Sequence, residues 1–158
     1  MLELLAEMMK LEANAARVYL LFSKLYPDHF EFWNTLHEEE KKHEAVFEQF
    51  VSGKLPLCLV PAEFISIDLQ KVKKANAYIE ISLQNFLSNH KKRSDAYGFA
   101  EEIEDLAGER EFQNAMDIDS DSESLYLIQR IVNDCKDHKE RIRNLRQSLL
   151  ERHRNVEQ

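Results

Sequence analysis

The chain has 158 residues, enough for one domain whose core needs no disulfide or metal staple. Three glycines and three prolines are too few for hairpin-rich or Rossmann-type folds, and the abundance of Leu, Glu, Lys, Ala and Arg reads as all-α. A formal charge of −8 excludes a nucleic-acid surface, since the one basic cluster, Lys91-Lys92-Arg93, is short and sits at a predicted turn.

Hydrophobic periodicity predicts a first helix from about Leu2 to Leu25, with Leu5, Met8, Glu12, Ala15, Ala16 and Tyr19 along one stripe. Tyr26-Pro27-Asp28 breaks it, and Asp28 followed by Glu31 reads as a capping box for the second helix. That helix continues to about Ser52, with Trp33, Leu36, Glu40, His43, Phe47 and Phe50 on one face, and Gly53 and Pro56 end it. Residues 54–94 form a crossover. It opens with an extended apolar stretch from Leu55 to Ala62 and continues as a helix from about Ile65 to Asn89, whose stripe is Leu69, Val72, Ala75, Ile79, Leu83 and Phe86.

Ser94 or Asp95 then caps a helix reaching about Met116. The acidic turn Asp117-Ile118-Asp119-Ser120-Asp121 copies the start of a calcium loop. Ser122 stands where that loop turns on Gly, however, and Ile128 where it closes on Glu, so helix capping is the better account. The last helix spans about Ser122 to His153, with Leu125, Ile128, Cys135, His138, Ile142, Leu145 and Leu149 at helical spacing. The N-terminus carries early acids and no cleavage-site pattern, so no signal peptide is expected, and no apolar run approaches a membrane span. Cys58 and Cys135 are the only cysteines and lie far apart, which excludes a thiolate-only metal site and fits a reducing, cytoplasmic setting.

The chain also reads as two related halves. Leu11-Glu12, Ala15 and Tyr19 resemble Ile103-Glu104, Ala107 and Phe112, and a helix with an inward histidine follows each glutamate, His43 in one half and His138 in the other. Glu12, Glu40, His43, Glu104 and His138 fall on core-facing stripes near the middle of their helices, so in an up-down bundle they share one depth. A Glu from each of two helices plus Glu-x-x-His from each of the other two is the arrangement that binds two iron or manganese ions in a bundle. A buried ionised carboxylate costs several kcal/mol, on the order of the penalty for any unpaired buried ion, unless it is paired or metal-bound. The first two helices place no Lys or Arg on the stripe of Glu12 and Glu40.

The run Leu11-Glu12-Ala13, Tyr19, Tyr26-Pro27-Asp28, Trp33 and Leu36-His37-Glu38-Glu39-Glu40-Lys41-Lys42-His43 resembles the first half of a rubrerythrin-type ferritin-like domain. Ile103-Glu104 and Asp137-His138 resemble its second half. The resemblance implies a single domain over residues 1–158, a ferritin-like four-helix bundle with an extra helix in the long crossover between bundle helices two and three. It implies two iron ions, or iron and manganese. Glu12 and Glu104 would be terminal ligands, Glu40 a bridge, and His43 and His138 the imidazoles. It further implies a homodimer and an external electron donor, because the rubredoxin-type module is missing with its cysteines.

Cys135 departs from the pattern, standing where a second bridging Glu belongs; Asp134 and Glu101 are the candidates to replace it. The expected function is a non-haem di-iron oxidoreductase acting on peroxide or dioxygen. The alternative is a degenerate bundle in a structural or regulatory role. Tyr19, Tyr97 and Trp33, a turn or two from the ligands, are read as core aromatics, with hydrogen bonding to the carboxylates as their other role. His29, His37 and His90 are expected in solvent.

Overall fold

The structure, a computed structural model, describes residues 1–60, 64, 67–88, 93–107 and 123–156. All regular structure among them is helical. Helix α1 spans Leu2–Leu25, α2 Phe30–Val51, α3 Leu69–Ser88, α4 Arg93–Ala107 and α5 Glu123–Val156, with short 3-10 turns at Pro27–His29 and Leu57–Leu59. Phe112, His90, and the acidic turn from Asp117 to Asp121 lie outside the described residues.

Helix α1 contains no Gly or Pro and places Glu3 in its first turn and Lys24 in its last, which suits the helix dipole. It stops at Tyr26, whose ψ of 70° is non-helical, as expected for a residue before proline. The capping box expected from Asp28 and Glu31 does not form: Pro27 starts a 3-10 turn, and the cap position of α2 falls on His29, with no side-chain capping bond. Gly53, at φ 74°, closes α2 as predicted, with its N–H on the Phe50 carbonyl.

The stretch from Leu55 to Val60 is not wholly extended. Leu59 and Val60 donate to the carbonyls of Pro56 and Leu57 and form one 3-10 turn. Among the described residues α3 begins at Leu69, later than periodicity suggests, because the Asp68 carboxylate accepts the Gln70 N–H at 2.8 Å and caps it there. Ser94 and Asp95 lie inside the first turn of α4, not at its cap.

Side-chain pairs fix the directions of the helices. Phe22 packs on Trp33 beside the α1–α2 turn while Glu12 meets His43 farther along, so α1 and α2 are an antiparallel hairpin. Helix α3 runs alongside α1 in the same direction, from Glu3–Lys73 at one end to Phe22–Phe86 at the other. Asn76 ties these two together, accepting from Asn14 at 3.0 Å and donating to the Glu7 carbonyl at 2.9 Å. Helix α4 returns antiparallel to α1 through Phe99–Phe22 and Glu104–Tyr19, and α5 is antiparallel to α4 through Arg146–Glu101 and His138–Glu104. Helices α2 and α4 therefore point the same way, and α3 is the element that carries the chain back between them.

One apolar cluster runs through the packed helices, including Leu5, Met8, Leu11, Phe22, Trp33, Phe47, Phe64, Ile79, Phe86 and Ile103. Every residue of the predicted α2 stripe is buried. No helix among the described residues is long and apolar enough to cross a membrane.

Candidate metal centre

Between the packed helices the apolar core gives way to acids and imidazoles. Glu12 comes from α1, Glu40 and His43 from α2, Glu104 from α4 and His138 from α5; none is more than 4 % exposed. Their positions follow from helical periodicity: each stands where an apolar residue would otherwise continue its stripe. All five candidate ligands read from the sequence converge here. They form two triads, Glu12–Glu40–His43 and Glu40–Glu104–His138, each with ligand atoms within 4.8 Å of one another. Glu40 belongs to both.

The two triads mirror each other about Glu40. His43 Nδ1 lies 3.2 Å from Glu40 Oε2 and 3.6 Å from Glu12 Oε2. His138 Nδ1 lies 2.9 Å from Glu40 Oε1 and 3.6 Å from Glu104 Oε1. The rings stack at 5.7 Å, and both Nε2 atoms face outward to further acids. His43 Nε2 is 3.2 Å from Asp134, and His138 Nε2 is 3.1 Å from Glu39, the latter off the line of a hydrogen bond. An outward carboxylate of this kind holds a ligating imidazole in one tautomer and orientation.

Burial and mutual charge set the protonation. Burial, with the neighbouring Glu40 charge, pushes the Glu12 carboxyl up to about 8 against the pull of His43. Burial raises Glu104 in the same way. For Glu40, burial also acts upward, but hydrogen bonds from His138 and His43 outweigh it and hold it below the carboxylate range. Burial would lower His43, yet Glu12 and Glu40 lift it to about 10; His138, beside Glu104, Glu39 and Glu40, is lifted to about 12. Protons therefore hold the cluster together when nothing else does.

Whether a cation suits the site is decided by its donors. Glu12 Oε2 and Glu104 Oε2 are wholly buried and accept no hydrogen bond, a cost of about 1–3 kcal/mol each. Among the described residues, the ion-pair partners of these three glutamates are the two histidines, with no Lys or Arg. Three carboxylates and two imidazoles with spare acceptor oxygens could hold a metal ion in either triad. Such a mix of oxygen and nitrogen donors accommodates a divalent metal ion.

Neither candidate to replace the missing glutamate enters the triads. Asp134 is bound to His43 Nε2, and Glu101 turns to Arg146 at 3.2 Å. Cys135 is buried, and burial together with Glu12, Glu104 and Glu40 pushes its thiol far up, so it stays protonated. Sequence reasoning missed Glu39 as an outer partner, because it sits in the charged run Glu38 to Lys42; its position next to an inward ligand was the only signal.

Tyr19 donates a hydrogen bond to Glu104 Oε1, so it is both a core aromatic and a carboxylate partner. Two histidines expected in solvent are engaged instead. His37 Nδ1 lies 2.8 Å from the Ala16 carbonyl, and His29 Nδ1 lies 2.7 Å from the Tyr97 hydroxyl. A cleft of about 350 Å³ between α2 and α5 reaches the outer edges of both imidazoles, lined among others by Glu39, Val46, Ile131 and Asp134. No family model, curated protein or solved structure matches the chain.

Proposed function

We propose that the protein is a ferritin-like metalloprotein of the rubrerythrin type, a non-haem oxidoreductase that reduces peroxide or dioxygen at a pair of iron, or iron and manganese, ions. The observation that carries this reading is the sharing of Glu40 by two buried triads, each with one histidine presenting Nδ1 inward. The return of the chain through α3, which leaves α2 and α4 parallel, supports it as the crossover such folds need. Bound there, the two ions would each supply one electron to a small oxygen species.

The remaining work falls to the protein's own groups. Glu12 and His43 would hold one ion, Glu104 and His138 the other, and Glu40 would bridge them. Asp134, hydrogen-bonded to His43 Nε2, and Glu39, 3.1 Å from His138 Nε2, stand behind the two imidazoles and keep them aimed inward. Tyr19 fixes the Glu104 carboxylate. The cleft admits a substrate of a few atoms beside His43 and His138, while Ile131 and Val46 give it apolar walls.

A second reading is favoured by Cys135, an uncharged thiol where the symmetric site would have its fourth carboxylate. In it the bundle keeps its proton-held cluster and serves a structural or regulatory role.

Elemental analysis of protein purified without chelator separates the two. Two iron or manganese ions per chain, lost in Glu40→Ala, with peroxide consumed by the loaded protein alone, is the result expected. No uptake after anaerobic iron reconstitution, at unchanged helicity, supports the second reading.

A further inference from the structure

From the centre a file of oxidisable rings leads to the surface. Tyr19, whose hydroxyl binds Glu104, stacks on Trp33 with ring centroids 5.9 Å apart. Trp33 lies 5.1 Å from Tyr97, and the Tyr97 hydroxyl lies 2.7 Å from Nδ1 of His29. Tyr19 and Trp33 are fully buried and Tyr97 is 1 % exposed, whereas His29 is half-buried in the α1–α2 turn beside exposed Pro27, Asp28 and Phe30. Trp33 is the only tryptophan of the chain, and it joins two buried tyrosines. Other rings pack here too, Phe22, Phe86 and Phe99 among them, but phenylalanine is far harder to oxidise and offers no alternative path.

The hydrogen bonds suit stepwise electron movement. A tyrosine loses an electron readily only if its phenolic proton has somewhere to go. Glu104 stands at the hydroxyl of Tyr19 and His29 at that of Tyr97. In the middle, Trp33 Nε1 is buried without any hydrogen-bond partner. Tryptophan is the one of these side chains that can lose and regain an electron while keeping its proton. Acceptors thus stand at both ends and none at the centre.

We infer that Tyr19, Trp33 and Tyr97 are a relay that carries single electrons inward from an external one-electron reductant docking at the α1–α2 turn. The inference rests on the oxidoreductase reading above. In each passage Tyr19 gives an electron to the centre while its phenolic proton stays within its hydrogen bond to Glu104. Trp33 refills Tyr19, and Tyr97 refills Trp33 while lending its own proton to His29. The reductant restores Tyr97, and His29 returns the proton. Two passages, with two protons from solvent through the cleft, convert one hydrogen peroxide to two waters. Substrate and electrons then use separate doors, the α2–α5 cleft and the α1–α2 turn.

The test uses the full chain loaded with iron, mixed with hydrogen peroxide, freeze-quenched and read by electron paramagnetic resonance, with ferrocyanide as the reductant. The wild-type protein is expected to show a tyrosine radical that ferrocyanide removes quickly. In Trp33→Phe a tyrosine radical persists, and its removal slows by about an order of magnitude or more at unchanged metal content. Tyr97→Phe, which keeps the ring and its packing, moves the radical to tryptophan. Peroxide consumption with radical yield and decay unchanged in both variants overturns the relay and leaves the metal centre standing. A loaded protein that consumes no peroxide overturns both.

Discussion

Glu40 is the residue on which the site turns. Its two oxygens face different histidines, so its replacement and that of a flanking glutamate have different consequences. Glu40→Gln is expected to abolish uptake of both ions, while Glu12→Gln loses only the ion beside His43 and Glu104→Gln only the one beside His138; metal counts per chain check all three. Asp134→Asn acts one layer out. Its carboxylate is partly exposed, so the fold persists, but His43 loses the partner that orients it. Affinity at that half-site should fall about tenfold to a hundredfold, measured by chelator competition. The five clustered residues were legible in the sequence because each interrupts an apolar stripe at a core-facing position. Asp134 and Glu39 were not legible in these roles. Both stand on helix flanks, and which flank meets a neighbouring helix is settled only when α2 and α5 pack together.

At the scale of elements, α3 is held to α1 by a polar clamp as well as by apolar contact. Asn76 is buried and bonds Asn14, the Glu7 carbonyl and the Glu7 carboxylate. Asn76→Ala leaves the buried Asn14 amide and the Glu7 groups without that partner. The expected loss is about 1–3 kcal/mol, read as a lower urea midpoint at unchanged slope. Helix existence and the α2 stripe were readable from periodicity, and Gly53 from its conformational freedom. The starts of α2 and α3 were misjudged for local reasons: a proline-led turn displaced the cap from Asp28 to His29, and Asp68 supplied a cap that apolar spacing does not reveal. The direction of α3, and hence the crossover, depends on contacts between residues some seventy positions apart, such as Glu3 with Lys73.

For the whole molecule, the proton-held cluster and a metal bound in its place would respond to pH with opposite signs. His43 and His138 are raised to about 10 and about 12 by their carboxylates, so what their charge adds to stability is complete below about pH 6.5, the ordinary histidine value, and fades as pH climbs through the raised ones. The Glu12 carboxyl, raised by burial to about 8, fades in the same direction. Glu40 and Glu39, held low, contribute above about pH 4.5 and lose that contribution as pH falls. A metal ion needs neutral imidazoles and an ionised Glu12, and must displace these protons. The rise in Tm on loading with manganese should therefore be larger at about pH 9 than at about pH 6.

The two half-sites also differ in how much chain each requires. Glu12, Glu40 and His43 all belong to the α1–α2 hairpin, whereas the second triad needs α4 and α5 docked against it. A growing polypeptide thus possesses one whole triad before Glu104 and His138 have been synthesised. Assembly has a built-in order, local loop first and distant partner last. If both triads hold ions as proposed, denaturant should reverse that order, releasing the one at Glu104 and His138 while the hairpin still keeps its own.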